Sequence, residues 1–294
     1  MPDPTGRIVF GRISREDHVK GQIVTLSAID PDGSDVTPLL DCEVARPRYS
    51  PDGGRIAFAV VMTDQSFQVA TMAADGTDLR VLTDTPGYAE TPDWSPDGSW
   101  LIYSYAPRAC VDFEDCVIKD GNIWTLWRMN ADGSDQRLIG NPATFDWEPR
   151  LSPDGREVVF QRLDPASDWS MTLMIRNLAT GEERLVKTDD RPLEHPDWSP
   201  DGRWIIYNPT GCPRCEQIER MPADDPAAKP EVLYAGDATH SGFKPVYSPD
   251  GSRIAFGCKP GLCRMDADGS NVVVVTETQG RAEVNHFDWS SALR

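Results

Sequence analysis

The histidines and cysteines of this chain are the side chains best suited to chemistry near neutral pH, because imidazole and thiolate groups bind metal ions, transfer protons or form covalent bonds. The histidines are His18, His195, His240 and His286. His195 and His286 each lie three residues before a tryptophan, in His-Pro-Asp-Trp and His-Phe-Asp-Trp. This shared position predicts that the two imidazoles occupy equivalent places in a repeated structure.

The cysteines form three close pairs and one remainder. The pairs are Cys110 with Cys116, Cys212 with Cys215 and Cys258 with Cys263, and Cys42 is left over. Close pairs of this kind are typical of local disulfides in oxidising compartments, which favours a periplasmic or secreted protein. Other interpretations stay open: unpaired thiols, a redox-active Cys-Pro-Arg-Cys, or one zinc ion bound by both Cys212-x-x-Cys215 and Cys258-x4-Cys263.

The histidines at 195 and 286 belong to a repeat built around Ser-Pro-Asp-Gly. Proline fixes φ and glycine accepts the left-handed conformation, so the motif predicts a tight turn between two strands. Five copies and a shortened sixth recur at intervals of 42 to 57 residues, with their serines at Ser50, Ser95, Ser152, Ser199, Ser248 and Ser290. Such a period, built from strand and turn signals, is typical of a propeller with one blade per repeat.

We therefore predict an all-β fold, a six-bladed β-propeller that forms a single domain over residues 1–294. Each blade has an innermost strand leading into Ser-Pro-Asp-Gly, and an Asp-Gly turn before its last strand. The first blade lacks an innermost strand of its own, so the C-terminal strand should pair into it and close the ring. The predicted blades cover residues 7–40 with 284–290, 45–83, 89–140, 146–187, 193–234 and 242–276.

A ring of polar side chains is expected at the mouth of the central channel, three residues before the large apolar residue that ends each innermost strand. It consists of Arg46, Thr91, Glu148, His195, Lys244 and His286, with Glu90 and Glu194 one residue earlier in two strands. His18 and His240 fall in loops at the same end. The long loop 106–122 also lies there, placed to cover the channel or to contact a partner. We predict a ligand site at this mouth for a protein, a peptide or a small polar molecule.

Two other interpretations of the ring stay open. Its charges could simply pair with one another, as in any solvent-filled channel. Alternatively, His195 and His286 could hold a divalent metal ion, with Lys244 or Arg46 as base or charge clamp for β-elimination on an acidic sugar.

Composition limits the partners. The net charge is −18 with a pI near 4.6, and no run of lysine and arginine occurs, which argues against nucleic acid and against anionic membranes. No leader and no long apolar run is present, so we expect either a cytosolic protein or an exported one whose leader is missing from this sequence. The Asp-Gly turns lack the glutamate that completes a calcium loop, so no calcium site is assigned to them.

The repeat, x-Pro-x-Trp-Ser-Pro-Asp-Gly followed by an Asp-Gly turn and Arg-x-Leu-Thr, resembles that of the TolB-type propellers. Residues 93–98 and 79–83 match it well, and the resemblance extends from about Arg7 to Ser290. It implies a binding or scaffolding role outside the cytoplasm. Prolyl oligopeptidase-type enzymes carry a similar propeller, but this chain has no Gly-x-Ser-x-Gly motif and no length for a hydrolase domain. Oligogalacturonate lyases are also similar and imply the alternative function, a metal-dependent lyase or hydrolase of acidic oligosaccharides.

Overall fold

The computed structural model describes residues 6–13, 25–108, 123–164, 170–186, 191–210, 217–236, 242–258, 261–277 and 283–290. Within these ranges the chain forms strands and turns and contains no helix, so the all-β prediction is confirmed. Accordingly, none of these segments is an apolar helix that could span a bilayer.

The strands of the described ranges follow one another in antiparallel runs. They are β1 (Ile8–Ile13), β2 (Thr25–Ile29), β3 (Thr37–Leu40), β4 (Val44–Tyr49), β5 (Arg55–Val61), β6 (Phe67–Ala73), β7 (Arg80–Val81), β8 (Tyr88–Trp94), β9 (Trp100–Ala106), β10 (Thr125–Asn130), β11 (Arg137–Leu138), β12 (Phe145–Leu151), β13 (Glu157–Asp164), β14 (Ser170–Asn177), β15 (Glu183–Leu185), β16 (Leu193–Trp198), β17 (Trp204–Pro209), β18 (Ile218–Pro222), β19 (Glu231–Tyr234), β20 (Gly242–Tyr247), β21 (Arg253–Cys258), β22 (Gly261–Asp266), β23 (Val273–Glu277) and β24 (Glu283–Trp289).

Hydrogen bonds join these strands into four sheets of four and one sheet of eight. The eight-stranded sheet consists of β4–β7 and β8–β11, which are linked by a parallel bridge between Phe67 and Tyr88. The strands β4, β8, β12, β16, β20 and β24 each contact the next one around a ring. The architecture is therefore a β-propeller whose innermost strands surround a central channel.

The C-terminal strand pairs into the first sheet, as predicted. In the antiparallel pairing of β24 with β1, Ile8 lies opposite Trp289 and Phe10 opposite Phe287. The backbone N–H of Ser290 donates to the carbonyl of Arg7 at 2.8 Å, and the backbone N–H of Arg7 donates to the Ser290 hydroxyl at 2.9 Å. The two ends of the described chain are thus held in one sheet.

The Ser-Pro-Asp-Gly motif is explained by its own hydrogen bonds. In the first copy, the Ser50 hydroxyl donates to the Asp52 carboxylate at 2.6 Å and accepts the backbone N–H of Arg55 at 2.9 Å. Gly53 has a φ of 67°, in the left-handed region that glycine adopts without strain. In the second copy, hydrogen bonds from Ser95 and then from Ser99 lower the pKa of Asp97 to about 2. These acidic residues therefore serve the turns.

The large residue before each Ser-Pro packs between neighbouring runs of strands, as predicted. Tyr49 of β4 lies in one cluster with Val9 and Leu26 of the preceding run. Trp198 of β16 packs in the same way against Val159 of β13. Burying these side chains fixes the angle between adjacent sheets and so shapes the channel.

One of the three predicted cysteine pairs lies within the described residues. Cys258 and Cys263 form a disulfide between β21 and β22, with their Cα atoms 5.7 Å apart. This pair is confirmed, and the four-cysteine zinc site is wrong, because bonded sulfurs cannot supply two thiolates. Cys42 is a free, half-buried thiol, and burial raises its pKa. The four other cysteines, Cys110, Cys116, Cys212 and Cys215, lie outside the described residues.

Candidate ligand site in the channel

The six predicted ring residues share an unusual backbone conformation. Their φ angles are 56° for Arg46, 56° for Thr91, 52° for Glu148, 53° for His195, 51° for Lys244 and 55° for His286. The left-handed region costs a residue other than glycine roughly 1–3 kcal/mol and is kept where the surrounding structure enforces it. Six such residues at one level of the channel are a structural signature that the sequence did not reveal.

A β-bulge produces this conformation on each innermost strand. In β16, for example, the pairing with β17 is regular up to Glu194, is interrupted, and resumes at Asp197. The interruption contains Pro196, which has no N–H to give to a neighbouring strand. The bulge turns the side chain of His195 away from its own sheet, which is how bulges redirect residues near functional sites.

The side chains turned in this way line a narrow cavity of about 20 Å³, room for about one water molecule. Of the ring, the lining includes Arg46, Glu148, His195, Lys244 and His286. Thr91 is fully buried instead and donates its hydroxyl hydrogen to Ser104 at 2.8 Å. The structure thus brings together most of the ring predicted from sequence.

Glu148 is the centre of the hydrogen-bond network in this cavity. Its carboxylate accepts Arg46 Nη1 at 3.1 Å, Gln161 Nε2 at 2.6 Å and His195 Nδ1 at 2.7 Å. Burial alone would raise the pKa of Glu148, but the charges of His195 and Arg46 outweigh it and hold this pKa at about 2. Glu148 is therefore ionised near neutral pH and orients its three partners Arg46, Gln161 and His195.

Lys244 of β20 and His286 of the neighbouring strand β24 form a second pair in the same cavity. The Lys244 amine donates to Nε2 of His286 at 2.9 Å. Burial, followed by the charge of Arg46, lowers the pKa of Lys244 to about 7 against the attraction of Glu148 and Glu194. Burial and the neighbouring Lys244 also lower the pKa of His286 well below its ordinary value of 6.5. Near neutral pH the imidazole is uncharged and the amine exchanges between two charge states.

The two remaining predicted residues, Glu90 and Glu194, form hydrogen bonds next to the ring. The Glu90 carboxylate accepts the indole N–H groups of Trp124 at 3.1 Å and Trp147 at 3.3 Å, and lies 3.7 Å from Arg46. Glu194 accepts the Thr210 hydroxyl at 3.0 Å. His18, His240 and residues 109–122 of the long loop lie outside the described residues.

A second layer of buried charged side chains lies two residues beyond the ring residues on the innermost strands. The sequence analysis did not predict this layer. Arg48 donates to Asp288 at 2.8 Å and lies 3.9 Å from Asp197. The aspartates also tie adjacent innermost strands together, because Asp288 accepts the backbone N–H of Tyr49 at 2.7 Å and Asp93 that of Leu151 at 2.7 Å. The available signal was an Asp-Trp dipeptide at the end of an innermost strand, which occurs at 93, 197 and 288.

Burial dominates the titration of this second layer. Loss of solvation raises the pKa of Asp93 to about 7, against the attraction of Arg48, and raises that of Asp197 to about 6 in the same way. A carboxyl group whose pKa is raised by folding stabilises the fold when it is protonated. This stabilisation is complete below the ordinary pKa of 3.8 and is lost as the pH rises towards the folded value.

Asp93→Asn should flatten this pH dependence. Because asparagine cannot ionise but can still accept the Leu151 N–H, the variant should be close to the wild type at pH 5 and more stable by several degrees in melting temperature at pH 8. Thermal unfolding followed by circular dichroism at half-unit pH steps would measure the difference. Asp201→Asn, an exposed turn variant, serves as control. An unchanged slope in Asp93→Asn would contradict the assigned role.

The described residues do not fit a divalent metal. No three histidine, cysteine, aspartate or glutamate side chains within them are arranged to hold an ion. His195 and His286 reach the same cavity, but the first is bonded to Glu148 and the second to Lys244. A cation placed between the two imidazoles would face Lys244 and Arg46, so we derive no chemical step from a metal.

Comparison with known families gives one clear match. A family model described as the TolB beta propeller domain matches residues 39–238. The protein named Uncharacterized protein Atu1656, from Agrobacterium fabrum, is 30% identical over 168 residues, which are 54% of this chain and 52% of that protein. The chain therefore spans about half the length of this relative.

Solved structures share the architecture at low sequence identity. TolB from Acinetobacter baumannii has a TM-score of 0.74 and 19% identity, over 98% of this chain and 67% of that chain. An oligogalacturonate lyase in complex with manganese has a TM-score of 0.55 and 16% identity, over 95% of this chain and 75% of that chain. Likeness at these identities is likeness of fold, and one fold carries many functions.

Proposed function

Because this chain belongs to the TolB beta propeller domain family, we propose that it is a binding or scaffolding propeller that works outside the cytoplasm. Its ligand is a protein, a peptide or a small polar molecule that docks at the mouth of the central channel. The ligand presents an anionic group to the ring of Arg46, His195, Lys244 and His286. Nucleic acid and anionic membranes are not its partners, given the net charge of −18.

We also propose that the propeller has six blades and forms a single domain. The support comes from the innermost strands, since β4, β8, β12, β16, β20 and β24 contact one another in a ring. The eight-stranded sheet divides into two blades at the bridge between Phe67 and Tyr88, because the strands on either side are otherwise paired within their own runs.

The main support for the proposal is that six residues with left-handed backbone conformation lie at one level of the channel. Strained residues cluster at ligand sites, where the surrounding fold holds side chains in position for a partner. Here the bulges turn Arg46, His195, Lys244 and His286 towards one cavity. A cavity of about 20 Å³ admits at most a small polar group, so the rest of the ligand stays at the mouth.

The sign of the charge supports an anionic group on the ligand. The cavity is lined by Arg46, Arg48, Arg150, His195, Lys244 and His286 on the basic side and by Glu148 on the acidic side. The lining thus holds more cationic than anionic side chains, although the protein as a whole has a net charge of −18. Low solvation inside the channel strengthens the attraction for a carboxylate or a similar anion.

Location outside the cytoplasm is supported by the Cys258–Cys263 disulfide together with the family. Disulfides persist in oxidising compartments and are rare in reducing ones. Fractionation of the source cells, with immunodetection of the chain in each fraction, tests this part of the proposal separately from ligand binding.

Lys244→Met should weaken binding of an acidic ligand about tenfold or more, because it removes a cation from the cavity while keeping the length of the side chain. The probes are acetyl-tetra-aspartate and digalacturonate, with acetyl-tetra-asparagine as neutral reference, measured by titration calorimetry on the full chain. Wild-type affinity for the acidic probes should rise as the pH falls through about 7, where Lys244 gains its charge. The variant should lose this dependence.

The matched control is Arg203→Met, which removes a cation of 81% side-chain exposure from a turn and should bind the probes like the wild type. Equal binding by Lys244→Met and the wild type, or no preference for acidic over neutral probes, would contradict the proposal. Stoichiometric manganese in the purified protein, lost in a His195→Ala/His286→Ala double variant, would favour the metal-dependent lyase instead.

A further inference from the structure

A second cationic pocket lies outside the channel, between the run β8–β11 and the run β12–β15. Its lining residues are Trp100, Arg128, Arg137, Ile139, Arg176 and Leu178, around a volume of about 280 Å³. The apolar members pack onto the core, since Trp100, Ile139 and Leu178 all border the same buried cluster. The pocket therefore has a firm apolar base and three guanidinium groups above it.

The strand register places two of these arginines in an unfavourable cross-strand pair. Arg128 of β10 lies directly opposite Arg137 of β11. In two other runs an arginine of the third strand faces a glutamate of the fourth: Arg220 opposite Glu231, and Arg176 opposite Glu183. Like charges directly opposite each other destabilise a sheet, whereas opposite charges stabilise it. Arg128 thus lacks the cross-strand carboxylate that Arg220 and Arg176 have.

Arg220 offers an internal comparison for Arg128. Both guanidiniums stack on a tryptophan, Arg128 on Trp100 at 4.3 Å and Arg220 on Trp204 at 4.4 Å. Arg220 is bonded to Glu231 at 2.8 Å. Among the described residues Arg128 has no ion pair, and its Nε is buried without a hydrogen-bond partner. Both runs thus have an arginine stacked on a tryptophan, but only Arg220 is neutralised by a carboxylate, and Arg128 remains available to bind an anion.

The nearby acids do not neutralise the pocket. Asp135 lies 3.0 Å from Arg137, and Glu183 lies 2.8 Å from Arg176, but Glu183 is shared with Arg162 at 2.7 Å. Both acids form ion pairs with Arg137 and Arg176, whereas Arg128 is attracted by Asp135 and Asp97 without forming an ion pair with either. Its pKa is lowered, first by burial and then by the charge of Arg137, which is consistent with an excess of positive charge.

We infer that this pocket binds a phosphate or sulfate group, carried by a small molecule whose organic part rests on Trp100, Ile139 and Leu178. A tetrahedral oxyanion accepts hydrogen bonds from several guanidinium groups at once, and arginine recognises it in a two-pronged geometry. A volume of about 280 Å³ accommodates the anion and a small organic group. This site is independent of the channel and of the function proposed for it.

Titration of the full chain with inorganic phosphate and with sulfate tests the inference, with sodium chloride added to keep the ionic strength constant. Tryptophan fluorescence and calorimetry should both report saturable binding, because the Arg128 guanidinium that would bind the anion stacks on the ring of Trp100. Arg128→Gln should weaken binding about tenfold or more, and Arg128→Lys should give an intermediate affinity. Arg220→Gln, at the neutralised counterpart, should bind like the wild type.

Glucose 6-phosphate and glucose separate the two sources of the anion. Tighter binding of the sugar phosphate than of inorganic phosphate, with none of glucose, would show that the apolar base contributes. Equal binding of both phosphates would restrict the site to the free anion. Phosphate no more effective than chloride, or Arg128→Gln with wild-type affinity and wild-type melting temperature, would overturn the inference.

Discussion

Arg48→Met should lower the melting temperature by about 10 °C or more at pH 8, the largest loss we expect from a single substitution. Arg48 is 7% exposed and bonds Asp288 at 2.8 Å, with Asp197 at 3.9 Å. Methionine preserves the side-chain volume but removes the charge. The carboxylates then remain buried without their cation, a situation that costs roughly 3–5 kcal/mol.

The pH dependence distinguishes this mechanism from simple loss of packing. Without Arg48, the pKa of Asp93, already raised to about 7 by burial, should rise further, and the same holds for Asp197 and Asp288. Protonation removes the buried negative charges, so the destabilisation should be smaller at pH 5 than at pH 8. A packing defect would be insensitive to pH over this range.

Two variants serve as controls for Arg48→Met. Arg156→Met removes a cation with 82% side-chain exposure and should change stability by less than about 0.5 kcal/mol. Arg48→Met/Asp288→Asn should recover part of the loss, because it removes one of the stranded charges. Chemical unfolding at both pH values measures all three. A pH-independent loss in Arg48→Met, or no recovery in the double variant, would contradict the charge mechanism.

The strands could be predicted from the sequence because local chemistry determines them. Each Ser-Pro-Asp-Gly turn satisfies its own hydrogen bonds, so the antiparallel strands on its two sides follow from the local sequence, as β4 and β5 do around Ser50. The outermost strands fit less well. β7 and β11 have two residues each, Arg80–Val81 and Arg137–Leu138, all of them exposed. With little core to pack against, their lengths are not determined by hydrophobic pattern.

The members of the channel site were predictable, but their contacts were not. The fixed offset from the large apolar residue that ends each innermost strand identified Arg46, Glu148, His195, Lys244 and His286 as one level of a ring. Which of them touch depends on the size of the closed ring. Arg46 reaches Glu148 past the strand between them, whereas Lys244 contacts its neighbour in the ring. The spacing of residues along the sequence does not give the distances between side chains across the channel.

The second layer and the arginine pocket required strand register. Arg48 stands where three of the other repeats have aspartate, and its role emerges only when Asp93, Asp197 and Asp288 are brought close to it. Arg128 likewise looks ordinary in the sequence. Its significance comes from Arg137 occupying the place that Glu231 takes in another run.

A chain ending at Glu277, which lacks β24, should fail to unfold cooperatively and should aggregate. Removing β24 exposes the edge of β1, a template for pairing between molecules. It also removes Phe287 and Trp289, each 4% exposed, from the cluster they share with Ile8. Arg48 loses Asp288 at the same time. A chain ending at Ser290 retains every one of these contacts and should melt like the full chain.

A synthetic peptide of residues 278–294 should restore the truncated chain when added in trans. The peptide supplies an edge strand with its own core residues, as in strand addition to an open sheet. We expect a saturable gain in melting temperature and in the yield of soluble protein. The same peptide with Asp288→Ala should bind about tenfold or more weakly, since Asp288 contacts both Arg48 and the Tyr49 N–H. A truncated chain that melts at the full-length temperature would show that β24 does not stabilise the closed ring. Equal effects of the wild-type and Asp288→Ala peptides would also contradict the prediction, because a strand that merely covers the edge of β1 does not depend on one buried carboxylate.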